Sequence, residues 1–301
     1  MGKIDKDTKA KTLSLNTRIG RVRLSPPSLC PAGDLDGMAG GRPDDSRAEA
    51  AMAPSVAQVT LGGLPIAVID RQAAAALLIA AAHRRGRKPF YSTSANGEVI
   101  ARIHADKAIA QLFRGADQIL ADGQPLVFAS RWLCRQKLPE RVATTDLFHD
   151  VAKIAERERV SFYFLGASEA ENSRATAAVQ RLYPALLIIG RCHGYLTGRA
   201  LEQRIEEINR LAPDILWLGL GVPREQLFVR DFLSRLDRVG VIKTAGGLFD
   251  HLAGKTPRAP LWMQRTGFEW LWRASMEPRR LFWRYLTTNP RALYLLLRYS
   301  Q

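Results

Sequence analysis

Ile119-Leu120-Ala121-Asp122-Gly123-Gln124-Pro125 is the stretch of this 301-residue chain from which its fold can be read. An apolar run enters Asp-Gly directly, and Pro125-Leu126-Val127-Phe128-Ala129 follows with helix-compatible spacing. That pattern predicts a buried strand, a tight turn and then a helix. It puts Asp122 at the carboxyl end of a strand, the edge where open α/β sheets present their ligands. Gly123 lets backbone or substrate approach closely. Asp-Gly is also a common turn and Asp a common helix cap, so this stretch alone leaves Asp122 between a structural and a catalytic role.

On the C-terminal side, strands and helices alternate. Residues 161–165, 186–189, 215–219 and 241–244 read as strands, several running into glycine, and helices are predicted over 168–182, 198–211 and 224–236. On the N-terminal side, short strands at 57–61 and 65–69 precede an Ala/Leu-rich helix over 70–85, and a strand at 90–94 ends at Ala95-Asn96-Gly97. Further helices are predicted over 105–115, 124–134 and 144–157, the last capped by Thr144 or Thr145. The expected fold class is α/β: a Rossmann-like, largely parallel sheet with helices on both faces, plus a basic helical C-terminal appendage.

Three domains are expected. Residues 1–55, rich in Lys, Asp, Ser, Pro and Gly without a sustained period, read as a disordered tail, with Met52 opening the ordered region. Residues 56–257 form the catalytic domain. Residues 258–301 carry eight arginines against Glu269 and Glu277, a local net of +6, together with four of the six tryptophans. Pro278 and Pro290 are expected to break this appendage into short helices.

The formal net charge of +15 points to an anionic partner: nucleic acid, membrane surface or a phosphorylated substrate. Three widely spaced cysteines without a CxxC suit a reducing compartment, and the histidines form no metal-binding cluster, so neither a metal nor another cofactor is expected. No apolar h-region follows the N-terminal lysines, and the longest smooth apolar run, Ala73 to Ala82, is well short of the roughly 18 residues of a membrane helix.

Four loops fall at one sheet edge: Ser94 to Glu98, Ala121 to Pro125, Gly219 to Gln226, and Ala245 to Asp250. Glycines at strand ends ahead of helices make good phosphate seats. Ordinary βα turn chemistry accounts for any one of them, whereas four together point to a ligand. Gly219-x-Gly221 lacks the third glycine of a dinucleotide fingerprint, and no G-x-S-x-G elbow exists, which counts against an oxidoreductase and a hydrolase. Arg141 could pair with a phosphate or with a surface carboxylate. Tyr195 could stack on a ligand or simply pack.

Together these residues resemble the WecG/TagA/CpsF family of bacterial glycosyltransferases. The resemblance rests on S-A-N-G-E (94–98), A-D-G-Q-P (121–125), E-R-V (140–142), T-D-L (145–147), G-L-G-V-P-R-E-Q (219–226), G-G-L-F-D (246–250), A-G-K-T-P-R-A-P (253–260), F-E-W-L-W-R (268–273) and E-P-R-R (277–280), in that order. It implies an inverting, metal-independent hexosyltransferase of surface polysaccharide biosynthesis, peripheral on the cytoplasmic face of the bacterial plasma membrane. The donor would be a UDP-sugar of the N-acetylmannosamine type or a related hexose or uronic acid, and the acceptor a polyprenyl-diphosphate-linked sugar. By the resemblance Asp122 is the catalytic base, assisted by Arg141. Ser94, Asn96, Arg279 and Arg280 fall on the acceptor side. Tyr195, Gly221, Glu225, Gln226, Gly246, Gly247 and Asp250 fall on the nucleotide side. The family usually has Thr at the position of Ser94 and Gly at that of Thr144, and its P-K-Q-E is Pro223-Arg224-Glu225-Gln226 here. Either Glu225 or Gln226 could therefore supply the nucleotide contact. The resemblance fits an anionic membrane partner and leaves room for a homo-oligomer.

The chemistry is self-consistent. A sugar hydroxyl loses a proton as it attacks the anomeric carbon, and a positioned carboxylate can accept it. The departing diphosphate gains charge that arginines and free N–H groups can stabilise. The competing reading is a basic nucleic-acid-binding protein, prompted by the net charge and the Arg/Trp interleaving of residues 258–301.

Overall fold

In a computed structural model of the chain, residues 56–86, 88–276 and 278–301 are described; of residues 278–282, 284 and 285 only the backbone is. Gln58–Leu61 (β1) and Leu64–Ala67 (β2) pair antiparallel across Gly62-Gly63. They are followed by α1 (Arg71–Arg84), β3 (Phe90–Ala95), α2 (Gly97–Ala105), α3 (Lys107–Arg114), β4 (Gln118–Ala121), α4 (Gln124–Leu133) and α5 (Thr144–Glu158). Then come β5 (Ser161–Gly166), α6 (Glu169–Leu182), β6 (Leu187–Cys192), α7 (Gly198–Leu211), β7 (Ile215–Gly219), α8 (Arg224–Phe232), β8 (Val241–Thr244) and α9 (Leu248–Leu252). The chain closes with α10 (Leu261–Thr266), α11 (Glu269–Met276) and α12 (Pro278–Tyr299).

Strands β3 to β8 form one sheet in the order β4-β3-β8-β7-β5-β6, with every pairing parallel. Parallel sheets need cover on both faces, and β4, β5, β7 and β8 are buried at every residue. On one face Trp217 is wedged against Phe148 and Phe162, ring centroids 4.9 and 5.8 Å away. On the other, Leu216, Leu218 and Ile242 pack with Ile205, Ile208, Phe228 and Val229 of α7 and α8. A third cluster joins the β1–β2 hairpin to α2, α3, α4 and the end of α12. The first pair of sheet strands builds one edge and the next pair builds the other, so the crevice above β3, β8 and β7 is where such a fold holds its ligand.

The expected α/β architecture is the observed one, and four local differences have physical causes. Asn96-Gly97, read as a loop, opens α2: the Asn96 side chain caps it by accepting the Val99 N–H at 3.1 Å. Gly190, read as the end of a strand, lies inside β6, where the Tyr163 ring crosses so closely that a Cβ would sit 2.4 Å from Cε2. Neither Thr144 nor Thr145 caps α5, because the capping acceptor comes from another strand, as described below. Finally, Pro290 does not break the last helix. α12 runs through it, and Ala292, Leu295 and Leu296 beyond it are buried, which offsets the roughly 3 kcal/mol of an interior proline. The disordered tail expected over 1–55 lies outside the described residues.

Candidate active site

Asp122 is the first residue beyond β4. Its N–H donates to Ala95 O at 2.8 Å, which locks the ends of β3 and β4 side by side. The Val142 N–H donates to Ala121 O at 2.8 Å and draws the segment before α5 onto the same edge. Asp122 Oδ2 then accepts both the Thr144 N–H, at 3.2 Å, and the Thr144 hydroxyl, at 2.8 Å. The carboxylate thus caps α5 from across the sheet, satisfying an N–H that the helix itself leaves open. Burial pushes its pKa up, opposed by the Thr144 hydrogen bonds and then by the Arg141 charge. Such a carboxylate is a stronger base than an exposed one.

Beneath it lies Lys243, fully buried on β8. Its ammonium donates to Ser94 Oγ at 2.9 Å and to Thr244 O at 3.0 Å. Burial pulls its pKa down to about 8, against the opposing charges of Asp122 and Glu225. Ser94 Oγ is in turn 3.2 Å from Thr144 Oγ1. Glu225, also buried, accepts the Gly246 N–H at 3.0 Å and so braces the turn after β8.

The opposite wall comes from the C-terminal helices. Arg141 donates to Glu269 at 2.6 Å and to Gln264 at 2.9 Å. Gln264 Oε1 also accepts Arg258 at 2.8 Å, and Arg258 pairs with Asp146 on α5. Burial pushes Asp146 up, but the hydrogen bond and charge of Arg258, with Arg141 and Arg71, outweigh it and hold it below the usual carboxylate range. Arg273 lies 3.1 Å from His251 and 3.4 Å from Glu269.

Three cavities share these walls. One of about 130 Å³ is lined by Ser94, Asn96, Asp122, Thr144, Glu225, Gly246, Gly247 and Glu269, among others. A neighbour of about 140 Å³ shares Asn96, Asp122 and Glu269 and adds Arg141, Gln264 and Trp270. A third of about 330 Å³ shares Gly246 and Gly247 and adds Tyr195, Gly221, Arg224 and Asp250. The Arg224 guanidinium lies 5.5 Å from the Tyr195 ring centroid and donates to Gly194 O at 3.0 Å.

The structure therefore places Asp122 and Asn96 in the wall between two adjoining cavities, with Ser94 and Glu225 lining one and Arg141 the other, and brings Tyr195, Gly221, Gly246, Gly247 and Asp250 together in the third. Gln226 is not among them: its amide turns into the core, 3.3 Å from Thr93 Oγ1, and faces a separate cavity of about 450 Å³ between α3 and α8. The side chains of Arg279 and Arg280 lie outside the described residues. The sequence pattern assigns Lys243, Gln264 and Glu269 no role in the site and offers Thr144 only as a helix cap. Lys243 carries one local signal, a lysine directly after the apolar pair Val241-Ile242 in a strand that is buried throughout; Arg141, the partner that Gln264 and Glu269 share, is more than a hundred residues away and leaves no local trace.

The profile of the glycosyl transferase WecG/TagA/CpsF family matches residues 59–301. The chain belongs to that family. Two relatives sharpen the comparison, both described as N-acetylglucosaminyldiphosphoundecaprenol N-acetyl-beta-D-mannosaminyltransferase. The one from Bacillus subtilis (strain 168) is 27% identical over 206 residues, covering 68% of this chain and 78% of the relative. That from Staphylococcus aureus (strain MW2) is 28% identical over 192 residues, covering 64% and 74%. As a WecG/TagA/CpsF member the chain is a glycosyltransferase, and its sheet-edge pocket is the place to look for the transfer. The nucleic-acid reading finds no support in these comparisons.

Proposed function

We propose that the chain transfers an N-acetylmannosamine-type sugar from a UDP-sugar to the sugar of a polyprenyl-diphosphate-linked acceptor, with inversion at the anomeric carbon. The observation that carries this reading is the position of Asp122: a partly buried carboxylate at a strand end, held by two bonds to one oxygen, between two cavities. Its other oxygen is left to take the proton of the acceptor hydroxyl. The hydroxyl oxygen bonds to the anomeric carbon as the bond to the diphosphate breaks, and that electron pair leaves with UDP. Arg141, fixed by Glu269 and Gln264, borders the acceptor side. Tyr195, Arg224 and the Gly246-Gly247 turn border the nucleotide side. The test is UDP release from a panel of UDP-sugars, with and without a short-chain polyprenyl-diphosphate-N-acetylglucosamine acceptor. Release that depends on acceptor, and is fastest with an N-acetylmannosamine donor, is the expected result; equal release without acceptor would overturn the proposal.

A lipid-linked acceptor requires access to a membrane, and we infer that the chain lies on the anionic inner face of the plasma membrane. No helix among the described residues is long and apolar enough to cross a bilayer. Exposed apolar side chains recur on neighbouring helices: Trp132 on α4, Leu261 and Trp262 on α10, and Trp283, Leu293 and Leu297 on α12. Tryptophan among basic residues suits the interface, where each Lys or Arg adds about 1 kcal/mol beside anionic lipid. Because α12 also contributes to the core, point variants serve better than deletion. The double variant Trp132→Ala/Trp262→Ala should co-sediment several-fold less with anionic vesicles than the parent, and parental binding should weaken as salt rises. Unchanged sedimentation of the variant would remove these tryptophans from membrane contact.

A further inference from the structure

The hydrogen bonds beneath the pocket form a single line. Lys243 Nζ lies 2.9 Å from Ser94 Oγ, Ser94 Oγ lies 3.2 Å from Thr144 Oγ1, and Thr144 Oγ1 lies 2.8 Å from Asp122 Oδ2. Its ends dictate its direction. A protonated lysine is donor only, so Ser94 must accept from it; an ionised carboxylate is acceptor only, so Thr144 must donate to it. The Ser94 hydrogen then has one place to go within the line, Thr144 Oγ1. Both hydroxyls are therefore oriented without competition, and each bond polarises the next.

We propose that Lys243 is a positioning residue for the transfer reaction: its ammonium drives this relay through Ser94 and Thr144 onto Asp122 Oδ2, and so keeps Asp122 ionised while reserving Oδ1 for the substrate. The proposal rests on Asp122 being the base. It also accounts for a lysine with no exposed surface, which otherwise has no place in a strand of the sheet centre. Without the relay, burial would press Asp122 toward the protonated acid with only the Thr144 N–H and the Arg141 charge against it.

Other charged groups surround the pair and remain in place in the test. Arg141 before α5, Arg258 after α9, and Glu269 on α11 act directly on Asp122. Glu225 on α8 acts on Lys243, and His251 on α9 and Arg273 on α11 line the same cavity. Glu98 on α2 lines the neighbouring one. None belongs to the line from Lys243 to Asp122, so changes within that line can be read against a constant background.

The experiment is the pH dependence of kcat/KM for the full chain and for Lys243→Met, Thr144→Val and Thr144→Ser. In the parent an acid limb should mark Asp122. Lys243→Met removes the cation and Thr144→Val removes the final donor, so each should move that limb to higher pH by about one unit or more, read as a roughly tenfold loss on the acid side. Thr144→Ser keeps the donor and should leave the limb where it is. A role confined to packing would lower activity at all pH values without moving the limb. The relay is overturned if the limb stays put in either Lys243→Met or Thr144→Val; movement in Lys243→Met alone would mean action through space. Should Lys243→Met fail to fold, Ser94→Ala takes its place: it cuts the line between Lys243 and Thr144 while leaving both end groups, and an unmoved acid limb there would overturn the relay. Failure of the base reading is separable: Asp122→Asn would then remain active whatever the Lys243 and Thr144 variants do.

Discussion

Asp122→Asn is expected to lower sugar transfer by about 10²–10⁴-fold, the usual cost of removing a general base. The substitution is nearly isosteric, and an amide oxygen can still accept the Thr144 N–H and hydroxyl that Oδ2 accepts now. The cap on α5 should therefore survive, and with it the melting temperature. UDP binding should also persist, because Asp122 does not line the Tyr195 cavity. What is lost is the charge that takes the proton. The measurement is the initial rate of acceptor-dependent UDP release beside a thermal melt and a UDP titration. A variant retaining more than about half the parental rate would return Asp122 to the status of a helix cap.

A large stability effect away from the pocket should come from Leu296→Ala. Leu296 is 2% exposed and belongs, with Leu295, to the cluster that includes Leu61, Leu64, Ile66 and Ile100. Cutting a buried leucine back to alanine removes its burial and leaves a cavity, at a cost of about 2–5 kcal/mol. For a folded unit of this size the melting temperature should fall by roughly 5–20 °C. Leu297, one residue on and 60% exposed, is the control, and Leu297→Ala should change stability by no more than about 0.5 kcal/mol. Equal effects of the two substitutions in a chemical or thermal melt would contradict the packing of α12.

Much of the sheet edge was legible because it obeys local rules. The apolar run before Asp122 and the helix-compatible run after it need only neighbours in sequence to be interpreted, and β4 and α4 stand on either side of the turn as expected. The same holds for Gly219 at the end of β7 and Gly246 after β8. Asn96-Gly97 misled because turn residues and helix caps are chemically the same residues; whether the chain turns or coils is decided by Val99, Ile100 and Ile103 finding a core to join. Thr144 was taken for a cap because hydroxyl residues usually serve there, and only the fold shows that Asp122 has the position. Lys243 was hidden by chemistry that local pattern does not encode: a charge is tolerated at the sheet centre when Asp122 and Glu225 converge on it from other elements. Arg141 was singled out, but its partners Glu269 and Gln264 come from helices that follow by more than a hundred residues.

The β1–β2 hairpin is held at its turn by residues some 240 positions further along. The Gly62 N–H donates to Ser300 Oγ at 3.0 Å, Gly63 N–H to Tyr299 O at 2.9 Å, and Gln301 N–H to Thr60 O at 3.0 Å, with the His104 and Tyr299 rings 4.5 Å apart. Contacts of such separation are the slowest to close, since the loop entropy comes due before any reward. During synthesis, then, the hairpin leaves the ribosome long before its partner exists. Leu61, Leu64 and Ile66 can begin to pack once α2, α3 and α4 have been made, but the share of the cluster that Leu295 and Leu296 cover stays open while the rest of the chain is translated, at about 5–20 residues per second. Nascent chains of this protein should accordingly carry an unlatched hairpin turn and a partly open cluster for many seconds, a natural stopping point for a chaperone, until residues 295–301 close it.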